Sequence, residues 1–203
     1  MSDNYHPEDN IAELKRAMRE KILRIRSGIT DVKRREASRE IIAKFMGEIP
    51  LEKNDRVAGY WPVSGEVDIK ILLEILHEER HIVSLPCVIS EEEPLSFRQW
   101  LPGMHLHINS RFGTYEPEKT AKIVNPNIVI VPLLAFDAAG YRLGFGKGFY
   151  DRTIAAMKET RSDILFAGVA YDAQQVPLVP RNEHDQKLDC VVTERRVVIF
   201  DRK

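Results

Sequence analysis

The stretch at 128–136, IVIVPLLAF, constrains the fold more than any other part of the chain. Nine apolar residues in a row leave no polar side for solvent, so both faces must be covered, as in a strand at the centre of a parallel sheet. The run is far too short to span a bilayer. Parallel strands need crossover connections, and the surrounding pattern supplies them. RVAGYWP (56–62), HIVSLP (81–86), LSFRQW (95–100), ILFAGVA (164–170), LDCVV (188–192) and RRVVIF (195–200) read as further strands. Between them, Ile69, Leu72, Leu73 and Leu76 recur at helical spacing behind Asp68, a residue able to cap, and a second helix is expected over 149–160. At the start, Ile11, Leu14, Met18, Ile22, Ile25 and Ile29 trace a helical stripe that ends near Gly28. Thr30 is placed to cap the next helix, where Ala37, Ile41 and Phe45 share a face before Gly47 and Pro50 close it. The expectation is an α/β fold, a mainly parallel sheet with helices on both faces, in one domain over 1–203. Residues 1–10 are expected to be disordered or loosely attached.

Charge excludes several classes of partner. The 203 residues carry a formal charge of -1, so no global field draws the chain to nucleic acid or to an anionic membrane. Any anion site must be local. The polar, acidic N-terminal stretch has no apolar core of a signal peptide, which argues for a cytoplasmic protein. Cys87 and Cys190 lie far apart and outside any C-x-x-C pattern, so they read as reduced, half-buried strand residues. The near-neutral total hides an asymmetry, because residues 15–44 hold eleven Lys or Arg against four acids. Within that stretch Lys15, Arg19 and Arg26 fall within about one helix face.

The segment with most chemistry is RLGFGKGFYD at 142–151, directly after the apolar run and directly before a helix. Gly144, Gly146 and Gly148 let the backbone turn with positive φ and bring several N–H groups to a ligand, and the helix start adds more. Arg142 and Lys147 flank this cradle, which suits a polyphosphate. It is neither a Walker A loop, since Gly148 follows Lys147 where Ser or Thr is required, nor a dinucleotide fingerprint, since the glycines run G-x-G-x-G. Asp151 beside an anion calls for a bridging cation, and Mg2+ is the usual one. Lys15 and Arg19, from another element, are candidates to close over the outer phosphates. Other polar groups carry less. Arg98 and Trp100 alternate on one strand, His105 and His107 lack a third metal ligand, and Glu183, His184 and Asp185 read as a polar loop, with Arg181 or His184 at a site mouth left open.

Several of these segments resemble one family. Lys15-Arg-Ala-Met-Arg19 with Arg26 and Thr30, Tyr60-Trp-Pro62 with Gly65-Glu-Val-Asp68, the GTYEP stretch at 113–117, the glycine-rich 140–152 and Asp189 in LDCVV are similar, in order, to motifs of the 5-formyltetrahydrofolate cyclo-ligases. Three positions depart from the pattern: Met18 for Leu, Phe149 for Tyr and Lys147 for Gly. The resemblance implies a fold like that of the NagB/RpiA/CoA-transferase group and an ATP- and Mg2+-dependent closure of 5-formyltetrahydrofolate to 5,10-methenyltetrahydrofolate. It also implies site residues. Lys15, Arg19 and the run Arg142, Leu143, Gly144, Phe145, Gly146, Lys147, Gly148, Phe149 and Tyr150 would contact ATP, with Lys15, Arg19 and Arg142 catalytic. Trp61, Glu66 and Tyr150 would contact the folate, with or without a polyglutamate tail, and Asp151 and Asp189 would hold Mg2+. The chain is expected to act as a monomer, without nucleic acid or membrane. The alternatives are a sugar-phosphate isomerase or CoA-transferase on the same fold and, ranked last, an RNA-binding arm using Lys15, Arg19, Lys33 and Arg34.

Overall fold

The computed structural model describes residues 7–63 and 65–201. Of the expected loose segment, residues 1–6 lie outside this range and 7–10 open the first helix. In chain order the elements are α1 (Pro7–Ser27), α2 (Asp31–Glu48), β1 (Arg56–Ala58), α3 (Lys70–Glu78), β2 (Ile82–Cys87), β3 (Ser96–Gln99), β4 (His107–Ile108), β5 (Tyr115–Glu116) and β6 (Ile128–Pro132). They continue with β7 (Ala135–Phe136), β8 (Arg142–Leu143), α4 (Phe149–Thr160), β9 (Leu165–Val169), a 3-10 turn (Asp172–Gln174), β10 (Cys190–Val192) and β11 (Val197–Ile199).

Seven strands form one sheet in the order β11-β10-β9-β6-β1-β2-β3. Strands β10, β9, β6, β1 and β2 run parallel, and the two edge strands are antiparallel. Side chains alternate across it with period two. Val57, Ile128, Ile130, Val169 and Val192 face one layer with Ile41 and Phe45 of α2 and Leu72, Leu73 and Leu76 of α3. Val129, Val131, Phe166 and Val191 face the other, with Ile154 of α4. The α/β expectation with helices on both faces therefore holds. Cys87 and Cys190 are buried in strands and are not joined in a disulfide, and no described helix is long and apolar enough to cross a membrane.

Three local expectations change. The run at 128–136 splits: β6 ends at Pro132, whose missing N–H cannot extend the ladder, and the chain leaves the sheet to form the β7–β8 hairpin. Asp68 bonds Lys70 N at 3.1 Å, while Ile69 occupies the cap position of α3. The stripe of α1 is only partly buried. Ile22 is 1% exposed but Leu14 is 50% exposed, because α1 packs on the small hairpin cluster of Leu134, Ala135 and Leu143 and does not lie on the sheet. Thr30 caps α2 as expected, accepting from Lys33 N.

This topology fixes where a ligand can enter. From β1 the chain moves outward to β2, then returns to β6 on the other side of β1 and continues to β9 and β10. A crevice opens past the C-terminal ends of the strands where that direction reverses. The β7–β8 hairpin carries the glycine-rich segment to that crevice.

Candidate active site

A cavity of about 970 Å³ occupies the crevice. Tyr60, Trp61 and Glu66 reach it from the segment between β1 and α3, Pro86 and Val88 from the end of β2 and just past it, and Pro132 from β6. Residues 142–151 line it from the hairpin and the start of α4, Lys15 and Arg19 from α1, and 182–186 from the segment before β10. Elements more than a hundred residues apart in sequence thus converge on one space.

The cationic side is built first by the loop. Gly146 and Gly148 have φ of 102° and 69°, values that L side chains rarely adopt. A Cβ on Gly146 would stand 3.1 Å from the Arg19 guanidinium, so glycine permits that approach as well as the turn. Arg19 Nε donates to Gly144 O at 2.9 Å, tying α1 to the loop. Lys15 Nζ lies 2.6 Å from Asp185 Oδ2 in an ion pair whose side chains are 14% and 13% exposed. Burial lowers the pKa of Arg19, and Asp185 opposes that shift. Arg142 is buried and committed to protein partners. It donates to Gln186 O at 2.6 Å and to Asp151 Oδ1 at 3.0 Å, and Asp151 also accepts from Gln186 N. Lys147 is largely exposed and lies 3.7 Å from Glu91.

The other side is aromatic and acidic. Trp61 packs at 6.0 Å against the buried Trp100, with Lys70 Nζ over its ring at 5.6 Å. Glu66 Oε2 accepts from Val63 N at 3.0 Å. Desolvation pushes its carboxyl up to about 7, against the Val63 amide and the charge of Arg26, which both pull it down. Arg26 lies over the Phe145 ring of the loop at 5.5 Å, and its charge acts on Glu66 on the other side, so α1 is linked to both sides of the cavity. Burial also raises the pKa of Tyr150, with Glu66 adding to it.

Lys15, Arg19, Trp61, Glu66, the run 142–150 and Asp151 are therefore brought together. Asp189 is not. It stands at the start of β10, its Oδ2 accepting from Phe166 N at 2.7 Å, at the N-terminal edge of a parallel sheet whose C-terminal edge bears the cavity. Asp185 lines the cavity in its place. A sequence pattern assigns that acid to a polar loop, and only its pairing with Lys15 across 170 positions reveals it. The loop 111–115 is the other lining segment without a sequence-level role. Arg98 and Trp100 serve structure, the first donating to Ala121 O and the second buried in the core, and the described residues contain no group of three or more potential metal ligands that would involve His105 or His107. Of the four residues in the RNA-arm alternative, Lys15 and Arg19 line the cavity.

The arrangement can hold an elongated ligand, anionic at one end and flat and hydrogen-bonding at the other. The chain is 31% identical to the 5-formyltetrahydrofolate cyclo-ligase of Haemophilus influenzae over 84% of its length and 92% of the relative's. It is 32% identical to that of Escherichia coli K12 over 85% and 96%. The solved structure of the Aquifex aeolicus 5,10-methenyltetrahydrofolate synthetase superimposes with a TM-score of 0.78 at 34% identity, covering 94% of each chain. The model of the 5-formyltetrahydrofolate cyclo-ligase family matches residues 11–194, and the chain belongs to that family.

Proposed function

We propose that this chain closes 5-formyltetrahydrofolate to 5,10-methenyltetrahydrofolate, coupled to conversion of ATP to ADP and phosphate. The observation that carries the reading is the convergence of Lys15 and Arg19 with the glycine loop on one side of a cavity whose other side offers Trp61 and Glu66. Family membership gives no support to an isomerase or CoA-transferase.

The formyl oxygen is a poor leaving group and must first become a phosphate ester. It attacks the γ-phosphorus, the bond to the bridging oxygen breaks, and ADP leaves. The amine at position 10 then adds to the activated carbon and loses its proton. The carbon–oxygen bond breaks, phosphate departs, and the amidinium of the product remains. The protein supplies positioning and charge neutralisation, the dominant contributions in phosphoryl transfer. The loop amides and the start of α4 cradle phosphate, and Arg19 supplies a guanidinium fork for terminal oxygens. Lys15 exchanges Asp185 for phosphate. Arg142 acts by holding Asp151 and the 186 backbone in place. Glu66 accepts from the donor edge of the pterin, Trp61 offers it an aromatic face, and Tyr150 bounds the space between the two substrates.

Mg2+ neutralises phosphate charge in such reactions. Asp151 and Asp185 are the residues that would hold it, since both border the cavity among its cations and Mg2+ takes only one or two carboxylates when phosphates supply further oxygens. The test is direct. Protein mixed with 5-formyltetrahydrofolate and MgATP should generate the near-ultraviolet absorbance of the methenyl product, and folded protein giving no ATP-dependent signal would overturn the reading.

A further inference from the structure

The GTYEP stretch has no part in the chemistry above, yet its acid is among the most enclosed polar groups in the molecule. Glu116 is 5% exposed. Its Oε1 accepts from Thr114 Oγ1 at 2.8 Å, Asn109 Nδ2 at 3.0 Å and Val88 N at 3.4 Å. Two of these donors belong to the loop of the β4–β5 hairpin, and the third is backbone just past β2. One carboxylate oxygen therefore ties the hairpin to the main sheet.

The hairpin needs that tie. Its ladder has only two residue pairs, His107 with Glu116 and Ile108 with Tyr115, too few to be stable alone. Its loop is shaped, with Gly113 at φ 68° and Gly113 N bonded to Asn109 O at 2.7 Å. The loop forms one wall of the cavity and touches the glycine-rich segment opposite. Phe112 packs edge-on against Phe149 with centroids 5.2 Å apart, and Glu91 lies 3.1 Å from Arg111 and 3.7 Å from Lys147.

We propose that Glu116 is a positioning residue whose buried carboxylate holds the β4–β5 hairpin as a wall of the cavity and, through Phe112, fixes the Phe149 end of the glycine loop. Removing it leaves three donors without their acceptor, and the penalty falls on the hairpin, the element with least packing of its own. Gln keeps an acceptor oxygen but loses the charge that strengthens each bond.

The kinetic arm of the test rests on the cyclo-ligase reading, and a hydrogen-exchange arm does not. Glu116→Ala should lower kcat/KM for ATP about tenfold, with much of the loss in KM, and Glu116→Gln should recover to within about threefold of wild type. Phe112→Ala should give a loss that is not additive with Glu116→Ala, because both act through one wall. Amide protection at Asn109 and Gly113 should fall in Glu116→Ala while that of β6 stays unchanged. Wild-type protection at 109 and 113, additive penalties, or equal losses in the Ala and Gln variants would overturn the proposal. A loss of protection throughout the sheet with unchanged KM would do the same, since it marks general destabilisation. An inactive wild-type enzyme would sink the functional reading alone, and exchange would still decide the role of Glu116.

Discussion

In α2, Ile41 and Phe45 are fully buried against the sheet while Lys33, Arg35 and Arg39 point to solvent; in α1, Leu14 and Ile25 are exposed while Arg26 is 2% exposed and Lys15 and Arg19 face the cavity. Both helices are basic and both show apolar residues at helical spacing. The difference lies in what each helix covers. Packed on the sheet, α2 meets a broad apolar surface, so hydrophobic burial sets its orientation. Lying across the β7–β8 hairpin, α1 meets a small apolar patch and a cavity, so one narrow stripe around Ile22 anchors it and the adjoining Lys15 and Arg19 line the cavity.

That contrast can be broken by experiment. The largest effect belongs to the core helix: Phe45→Ala should lose about 3 to 5 kcal/mol of stability in urea unfolding. Turnover per folded molecule should be unchanged, and a catalytic defect in folded protein would mean that α2 also shapes the site. On α1 the pattern reverses. Arg19→Ala should reduce kcat/KM for ATP at least a hundredfold, about 3 kcal/mol, with a stability change under about 1 kcal/mol. Selective loss of folate affinity would contradict its assignment.

Glu66, facing Arg26 of α1, tests the electrostatics between the two sides. Its folded pKa is about 7 against an ordinary 4.5, so the folded state holds the proton more tightly than the unfolded chain does. The resulting stabilisation is complete below pH 4.5 and is lost as pH rises through 7, amounting to about 3 kcal/mol. The stability of wild type should therefore fall over that window relative to Glu66→Gln, and parallel pH profiles would refute it. The smallest change is expected for Leu14→Ala, within about 0.5 kcal/mol by thermal unfolding. A larger loss would show that the apolar stripe of α1 packs as the periodicity alone predicts.

Legibility in the sequence followed the range of the interactions involved. The helices, the Thr30 cap, the glycine loop and the cores of the sheet strands depend on neighbours within a few residues and lie where the pattern places them, whereas the break at Pro132 and the short β4–β5 and β7–β8 hairpins depend on tertiary contacts. The acids were harder. Asp185 and Asp189 are four residues apart, and local chemistry cannot tell them apart. One reaches Lys15 of α1, whereas the other bonds Phe166 N at the far edge of the sheet. The same limit applies to Arg142, whose flanking position suggested phosphate but whose partners are Asp151 and the 186 backbone. Glu116 was visible only as part of a motif.

The sequence by itself determined an α/β sheet covered on both faces and a cation-flanked glycine cradle, because apolar periodicity and backbone conformational freedom are local properties. Tertiary structure alone decided which charges share the cavity: strand order places β1 beside β6, the break at Pro132 sends the loop to their C-terminal ends, and α1 closes over it. Electrostatic and hydrogen-bonding partners are chosen by distance in space, and that distance is set only once the sheet has fixed its strand order.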